Sequence, residues 1–284
     1  MTSLKSKYIK ISNPVPHVLL LELNRKPVNA FNTEFWKEYG CTFDALSTNP
    51  DDIRAVVLSS AFPKYFTAGL DFQGFMQLGS NDVTMDPARR AFLTRDLILD
   101  IQRAVAAPER CPIPVIAAVH GSVIGMGIDI ISACDVRYAA SDTKFSIKAL
   151  DMGLAADVGT LAYLPKITGN HSLARELAYT GRTFSSDDAE KLGLVSRVVE
   201  GGREAVVAAA LQLAKDIASK SPVAVTGTKH LLLHARDHSV AENLQYTATW
   251  NSAALQAADL GQALRAGMTK SKESPQFLPL RPKL

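Results

Sequence analysis

Apolar and polar positions along the chain follow two patterns: short apolar runs, and apolar residues at helical spacing. The short runs predict strands over residues 8–12, 17–23, 55–59, 115–119, 136–139 and 196–199. The helical spacing predicts helices over residues 33–46, from residue 87 onward, from the glycines near 125 to residue 134, and over 186–192. A loop is predicted after the strand 55–59, through Pro63 to Asp71, and a glycine loop is predicted between the strand 115–119 and the helix that follows it.

From about residue 222 the pattern is helical only. Strands alternating with helices, followed by helices alone, indicate an α/β fold with a helical appendage. We therefore expect an α/β core over residues 1–221 and a helical C-terminal region over residues 222–284. No internal repeat or low-complexity tract interrupts this order.

Composition narrows the class of protein. The 284 residues contain 31 Lys and Arg against 28 Asp and Glu, a net charge of +3, with 47% hydrophobic and 21% charged residues. These values are typical of a globular protein and exclude disorder for most of the chain. The small charge, without a basic stripe, gives no support to nucleic-acid binding. Three cysteines without a C-x-x-C pair indicate a reducing compartment rather than a disulfide scaffold.

Two stretches bear on location. Residues 112–128 contain no Asp, Glu, Lys or Arg, but two prolines and three glycines divide them, so we expect a strand, a loop and a helix start rather than a membrane span. The last three residues, Pro282, Lys283 and Leu284, are similar to the Ser-Lys-Leu peroxisomal address. The alternative is a basic, aliphatic tail without an address. We expect recognition by a peroxisomal import receptor.

The glycine loop and two acids are candidates for chemistry. Gly125, Met126 and Gly127 open a helix without the continuation of a phosphate loop, so their N–H groups suit an anion or oxyanion. Asp129 and Asp157 lie among apolar residues, where burial would raise a carboxyl pKa toward the range useful for proton transfer. The structural alternatives are a first-turn acid for Asp129 and a helix cap for Asp157.

Three histidines recur at helical spacing in the C-terminal region. His230, His234 and His238 could share a metal ion, but the sequence places no carboxylate or cysteine with them. We expect a solvated or interface face of a helix, and no metal site.

Several segments together carry a family resemblance. They are residues 23–32 (LNRKPVNAFN), 66–71 (FTAGLD), 114–121 (PVIAAVHG), 127–138 (GIDIISACDVRY) and 153–161 (GLAADVGTL). The set resembles the enoyl-CoA hydratase/isomerase (crotonase) superfamily. Asp129, where hydratases carry Glu, and the last segment resemble the Δ3,5-Δ2,4-dienoyl-CoA isomerases within it. The resemblance implies a crotonase-type spiral of ββα units and a helical C-terminal region that helps to build homotrimers or hexamers.

The resemblance also implies site roles. The oxyanion hole for the thioester carbonyl would use the backbone N–H groups of Ala68 and Met126, although the family usually has Gly at the second position. Asp129 and Asp157 match two acidic positions of the dienoyl-CoA isomerases. The acyl-CoA substrate carries its own CoA, so no separate cofactor is implied. Substrate-binding positions would be Ala68, Gly69, Leu70, Asp71, Phe72 and Met126.

Position 149 departs from this pattern. The implied reaction moves the double bonds of a 3,5-dienoyl-CoA to the 2,4 positions in fatty-acid β-oxidation, which removes a proton at C2 and delivers one at C6. The family has a Glu twenty residues after Asp129, and this chain has Ala149, which cannot transfer a proton. Either Asp129 and Asp157 suffice, or the protein is a non-catalytic acyl-CoA-binding paralogue, or Ala149 is a deliberate replacement. Another enzyme on the same scaffold, such as an enoyl-CoA isomerase or hydratase, is a further alternative, but hydration would need the missing carboxylate.

Overall fold

The computed structural model describes residues 6–48, 51–71, 85–269 and 275–281. Its ten strands within these ranges divide into two sheets. The larger sheet has the order β1-β2-β3-β5-β7-β10 and the smaller one β4-β6-β8-β9. The strands are β1 (Ile9–Val15), β2 (Val18–Leu23), β3 (Ala55–Ser60), β4 (Tyr65–Thr67), β5 (Val115–Val119), β6 (Ser122–Ile124), β7 (Val136–Ala140), β8 (Lys144–Ser146), β9 (Phe184–Ser185) and β10 (Arg197–Val199).

The larger sheet is parallel except at one edge. Strands β1 and β2 form an antiparallel pair, and each remaining pair is parallel. Every residue of β3 and β5 is buried, as expected for parallel strands covered on both faces. The sequence predicted all of these strands, because each contains a run of apolar residues long enough to recognise.

The smaller sheet was not predicted. Strands β4, β6 and β8 run parallel and β9 pairs antiparallel with β8. The predicted loop through residues 63–71 is therefore wrong where it contains β4, and the predicted glycine loop after residue 119 is wrong where it contains β6. Each of these strands has only two or three residues, too few for an alternating pattern to appear in the sequence.

The helices within the described residues surround the sheets. They are α1 (Thr33–Thr48), α2 (Pro87–Val105), α3 (Ala107–Arg110), α4 (Met126–Ser132), α5 (Thr160–Ile167), α6 (His171–Thr180), α7 (Ser186–Leu192), α8 (Arg203–Ala218), α9 (Pro222–Asp237), α10 (Val240–Ala254) and α11 (Ala258–Met268), with a 3₁₀ helix at Lys148–Met152. The predicted bounds of α7 are confirmed; its capping box uses Ser185 and Asp188.

The chain moves repeatedly from the large sheet to the small one. Strand β3 is followed by β4, β5 by β6 and α4, and β7 by β8 and the 3₁₀ helix. This is the predicted spiral of ββα units. Because β4 and β6 are parallel neighbours, the segments that follow them, residues 68–71 and the start of α4, emerge at the same edge.

The C-terminal helices begin at Pro222, with Ser221 capping α9 through a bond from the Ala224 N–H. Buried Lys229 fastens α9 to the core: its ammonium donates to Asp135 Oδ2 at 2.7 Å and to the Pro108 carbonyl at 2.8 Å. The division at residues 221 and 222 stays a prediction. In the part of the chain that is described, no helix is long and apolar enough to cross a membrane.

Candidate active site

Two backbone segments approach each other closely at Gly69. Its φ is +90°, and a Cβ added there would lie 2.7 Å from the Ile124 carbonyl oxygen and 3.4 Å from the Met126 nitrogen. Any other residue would collide with backbone that has no freedom to rotate away. Gly69 therefore lets the segment after β4 lie directly against the end of β6 and the start of α4.

Asn29 holds the first of these segments in place. Its fully buried side-chain amide donates to the Phe66 carbonyl at 2.9 Å and to Ser60 Oγ at 2.8 Å. The Thr67 hydroxyl donates to the Asn29 carbonyl at 2.6 Å and accepts the Gly69 N–H at 3.0 Å. Buried polar groups satisfied on several sides fix one backbone conformation.

The Ala68 N–H is not available as an oxyanion donor. It donates to the Val28 carbonyl at 3.0 Å. The prediction that Ala68 supplies this donor is therefore corrected by the geometry. The next residues bridge to Phe31: the Phe31 N–H donates to Gly69 O at 2.8 Å, and the Asp71 N–H donates to Phe31 O at 2.9 Å. In such a bridge the N–H of Leu70 faces the opposite side.

Two N–H groups are left without an internal acceptor. Neither the Leu70 N–H nor the Met126 N–H donates to any group among the residues that the structure describes. Met126 is the first residue of α4, and its N-cap, Gly125, provides no side-chain acceptor. The positive end of the helix dipole adds to the Met126 donor. Leu70 and Met126 thus present the free donors of the two adjoining segments.

Leu70 and Met126 both line one cavity of about 270 Å³. Its wall is mostly apolar, with two carboxyl groups and one ammonium. The lining residues are Ala68, Gly69, Leu70, Thr94, Ile98, Ile101, Ile124, Gly125, Met126, Asp129, Ile147, Lys148, Ala149, Leu154, Ala156, Asp157, Val158 and Thr160. A mostly apolar cavity with a few convergent polar groups is typical of a small-molecule site.

Asp129 is the buried acid of this cavity. It lies in the first turn of α4 and is 3% exposed. Burial raises its pKa from 3.8 to about 6; two hydrogen bonds from Thr160 oppose this shift, and the nearby Asp157 adds to it. Asp129 lies in the first turn of a helix, as the structural alternative predicted, and it also borders the cavity.

Asp157 borders the same cavity but is exposed, so its predicted burial is wrong. It does not cap a helix, since Gly159 is the N-cap of α5. Its carbonyl accepts a hydrogen bond from Gln102 Nε2 at 2.6 Å, which ties this segment to α2. Its carboxylate makes no hydrogen bond or ion pair with any described residue.

Ala149 lies on the 3₁₀ helix and also borders the cavity. Its neighbour Lys148 pairs with Asp151 at 2.6 Å. Position 149 is thus within the same enclosure as both acids, with a methyl group as its side chain.

The other predicted positions divide into three groups. Gly69 and Leu70 line the cavity, as does Met126. Asp71 pairs with Arg25 at 2.9 Å. Phe72 lies outside the described residues. The sequence did not single out Thr160, whose position at the start of a helix is ordinary in sequence, or the donor role of Leu70, which depends on the bridge to Phe31.

The rings of the three histidines take part in two stacks where α9 meets α10. His234 stacks on His238 at 3.7 Å and on Tyr246 at 4.1 Å, and His230 stacks on Trp250 at 4.1 Å. Residues 6–48, 51–71, 85–269 and 275–281 contain no cluster of three or more His, Cys, Asp or Glu suited to a metal ion. Packing between the two helices explains why histidines recur at helical spacing here.

Comparison with known proteins assigns the class. Residues 16–277 match the enoyl-CoA hydratase/isomerase family, and the chain belongs to this family. A crystal structure of an enoyl-CoA hydratase from Bacillus anthracis superposes with a TM-score of 0.84 at 26% identity, over 95% of this chain and 99% of that one. The predicted fold class is confirmed.

Two relatives are named for one particular activity within this family. The mitochondrial Δ3,5-Δ2,4-dienoyl-CoA isomerase of Mus musculus is 47% identical over 263 residues, which cover 92% of this chain and 80% of that protein. The peroxisomal Δ3,5-Δ2,4-dienoyl-CoA isomerase of Arabidopsis thaliana is 41% identical over 282 residues and covers 99% of each. The resemblance drawn from the motifs is confirmed.

Gly69→Ala should abolish binding of a saturated acyl-CoA, because the added methyl cannot coexist with the Ile124 carbonyl at 2.7 Å. Gly153→Ala is the matched control: its φ is +75°, but an added Cβ there meets nothing within 4 Å. Both variants bear the backbone strain of roughly 1–2 kcal/mol. Calorimetric titration measures binding, and equal effects of the two changes would contradict the close-approach account.

Asp129→Asn should raise the thermal unfolding midpoint more at pH 8 than at pH 4.5. The pKa of Asp129 is about 6 when folded and 3.8 ordinarily, so its contribution to stability is lost as pH rises through this interval. Above pH 6 the ionised group costs on the order of 3 kcal/mol. Scanning calorimetry at both pH values measures the difference. Asp100→Asn, at an exposed position on α2, is the control.

Proposed function

We propose that the protein is a Δ3,5-Δ2,4-dienoyl-CoA isomerase whose turnover is limited by Ala149. The proposal rests on Leu70 and Met126, whose N–H groups have no acceptor among the described residues and which line one cavity together with two acidic residues. The named isomerases at 47% and 41% identity support the same reaction. The reaction consists of proton transfers, so it needs no redox cofactor and no metal.

The two N–H groups would bind the thioester oxygen. Removing a proton at C2 produces a dienolate whose negative charge resides largely on this oxygen. Donors already aimed at that position stabilise the charge more than they stabilise the neutral substrate, which lowers the barrier. Leu70 replaces Ala68 in this proposal, since the Ala68 N–H is engaged by Val28. Gly69 and Leu70 would flank the CoA arm.

The two acids would carry the protons. One group removes the proton at C2, and a second delivers a proton at C6, four carbons farther along the chain. Asp129 is buried with a pKa of about 6, whereas Asp157 is exposed. Different environments let one carboxyl donate while the other accepts near neutral pH.

The alanine at position 149 favours one alternative to an isomerase, a protein that binds acyl-CoA without converting it. With two acids instead of three, the pocket could retain acyl-CoA without converting it, as a non-catalytic binding subunit. A hydratase on this scaffold would want carboxylates at positions 129 and 149 to activate water, and Ala149 provides none. Conversion of a 3,5-dienoyl-CoA, followed by diene absorbance, separates isomerase from binding subunit; hydration of a 2-enoyl-CoA identifies the hydratase.

Ala149→Glu should raise turnover of a 3,5-dienoyl-CoA by about 10²–10⁴-fold, with little change in affinity. A general acid or base contributes a factor of this size to the rate and little to ground-state binding. Diene absorbance measures turnover, and calorimetry measures affinity. A Glu variant no faster than the parent would exclude position 149 from catalysis.

The same assay tests the second backbone donor with the variant Met126→Pro in the Ala149→Glu background. Proline is tolerated at the first residue of a helix but removes the N–H. The rate should fall by about 10²-fold or more if that donor binds the oxyanion.

We propose a peroxisomal location, directed by Pro282, Lys283 and Leu284. The peroxisomal Arabidopsis relative supports this, whereas the mouse relative is mitochondrial. The three residues lie outside the described part of the chain. Deleting Leu284 should leave a fluorescently tagged protein in the cytosol, as seen by microscopy; unchanged import would refute the address.

We propose a homotrimer or a pair of trimers. Large apolar side chains are exposed on the C-terminal helices: Leu232 on α9, Leu244 on α10, and Leu264 and Met268 on α11, all more than half exposed. Faces of this kind are typical of subunit contacts. Analytical ultracentrifugation should give three or six times the mass of 30.6 kDa, and a monomer would contradict the proposal.

A further inference from the structure

The carboxyl of Asp129 is held asymmetrically by one residue. Oδ1 accepts a hydrogen bond from the Thr160 hydroxyl at 2.6 Å and a second from the Thr160 backbone N–H. Both residues are buried, with exposures of 3% for Asp129 and 1% for Thr160. Thr160 is the first residue of α5, so its N–H has no acceptor within its own helix.

The other oxygen, Oδ2, accepts no hydrogen bond from another described residue, and the backbone N–H of Asp129 itself adds a weaker interaction with the carboxyl. The two Thr160 donors occupy the lone pairs of Oδ1, so a proton on this carboxyl belongs on Oδ2. Asp129 and Thr160 both border the cavity. The carboxyl is thus locked against rotation, with one oxygen engaged and one uncommitted.

We propose that Thr160 is a positioning residue: by holding Oδ1 on two donors, it makes Oδ2 the oxygen of Asp129 that exchanges protons with the substrate. This inference rests on the proposed function for its catalytic meaning. Its structural content, that the Thr160 hydroxyl stabilises the ionised carboxyl, is independent of any turnover.

Other ionisable groups near Asp129 bear on the same carboxyl. Asp157 repels it and raises its pKa. Lys148 borders the cavity, but its ammonium is paired with Asp151. Tyr163, on α5, lies close to Gly159, as Asp129 does, and it stays neutral because burial raises the pKa of Tyr163 to about 12. Thr160 therefore provides the two strongest hydrogen bonds that favour the charged form of Asp129, against burial and Asp157.

Carbon-13 NMR of protein labelled at the aspartate Cγ tests the proposal, with Asp129→Asn to assign the resonance. Thr160→Val should raise the pKa of Asp129 by about 1, because it removes one hydrogen bond to a charged group. Thr160→Ala should do the same and serves if valine prevents folding. Thr160→Ser keeps the hydroxyl and should leave the titration unchanged.

Thr168→Val is the matched control. Thr168 is buried at the other end of α5, where its hydroxyl donates to the Leu164 carbonyl at 2.7 Å, so the same chemical change occurs away from Asp129. An unchanged titration in both Thr160→Val and Thr160→Ala would overturn the proposal, and so would an equal shift in Thr168→Val.

Kinetics then separate this inference from the proposed function. In the Ala149→Glu background, the limb of the pH–rate profile that is set by Asp129 should move to higher pH with Thr160→Val and stay in place with Thr160→Ser. A titration that shifts in a protein without isomerase activity would refute the proposed function while retaining the hold of Thr160 on Asp129. A rate loss with an unmoved pH profile would leave Thr160 only a structural role and overturn the positioning proposal.

Discussion

The site depends on the contact between Gly69 and the Ile124 carbonyl, where there is no room for a side chain. This contact brings the segment after β4 against the start of α4 and places both beside one cavity. The buried Asn29 amide holds the first segment, and the parallel pairing of β4 with β6 holds the second. Two residues with backbone donors, from different turns of the spiral, thereby line the same cavity.

Asp129 illustrates the cost of building such a cavity. Burial makes its ionised form unfavourable, which lowers stability above pH 6, and the same burial brings its pKa near the pH at which it would exchange protons. Thr160 moderates this effect with two hydrogen bonds to one oxygen. Asp157, open to solvent, receives no such hydrogen bond from the residues that the structure describes. The two carboxyl groups thus differ in accessibility, in hydrogen bonding and in electrostatic surroundings, although their sequence environments are similarly apolar.

The strands of the large sheet and most of the helices could be predicted, because each is long enough for its apolar residues to show a clear pattern. Val115–Val119 is an uninterrupted apolar run, and Ser185 and Gly193 mark both ends of α7. The small sheet could not be predicted. A segment such as Tyr65–Thr67 is too short for a pattern, and it becomes a strand only because β6 lies beside it. Since that sheet aligns the two donor segments, the part of the fold that sequence analysis missed is the part that forms the site.

The sequence by itself determined the family, the α/β class, the two acids and the alanine at position 149. Motifs and residue chemistry can be read directly from the order of residues. The tertiary structure decided which N–H groups have an acceptor. The Ala68 N–H donates to the Val28 carbonyl, and the Leu70 N–H has no acceptor among the described residues. The tertiary structure also decided that Asp157 is exposed and that Thr160 holds Asp129. An N–H direction depends on the backbone angles, and its availability depends on acceptors from distant parts of the chain. Neither is encoded in the identity of the residue itself.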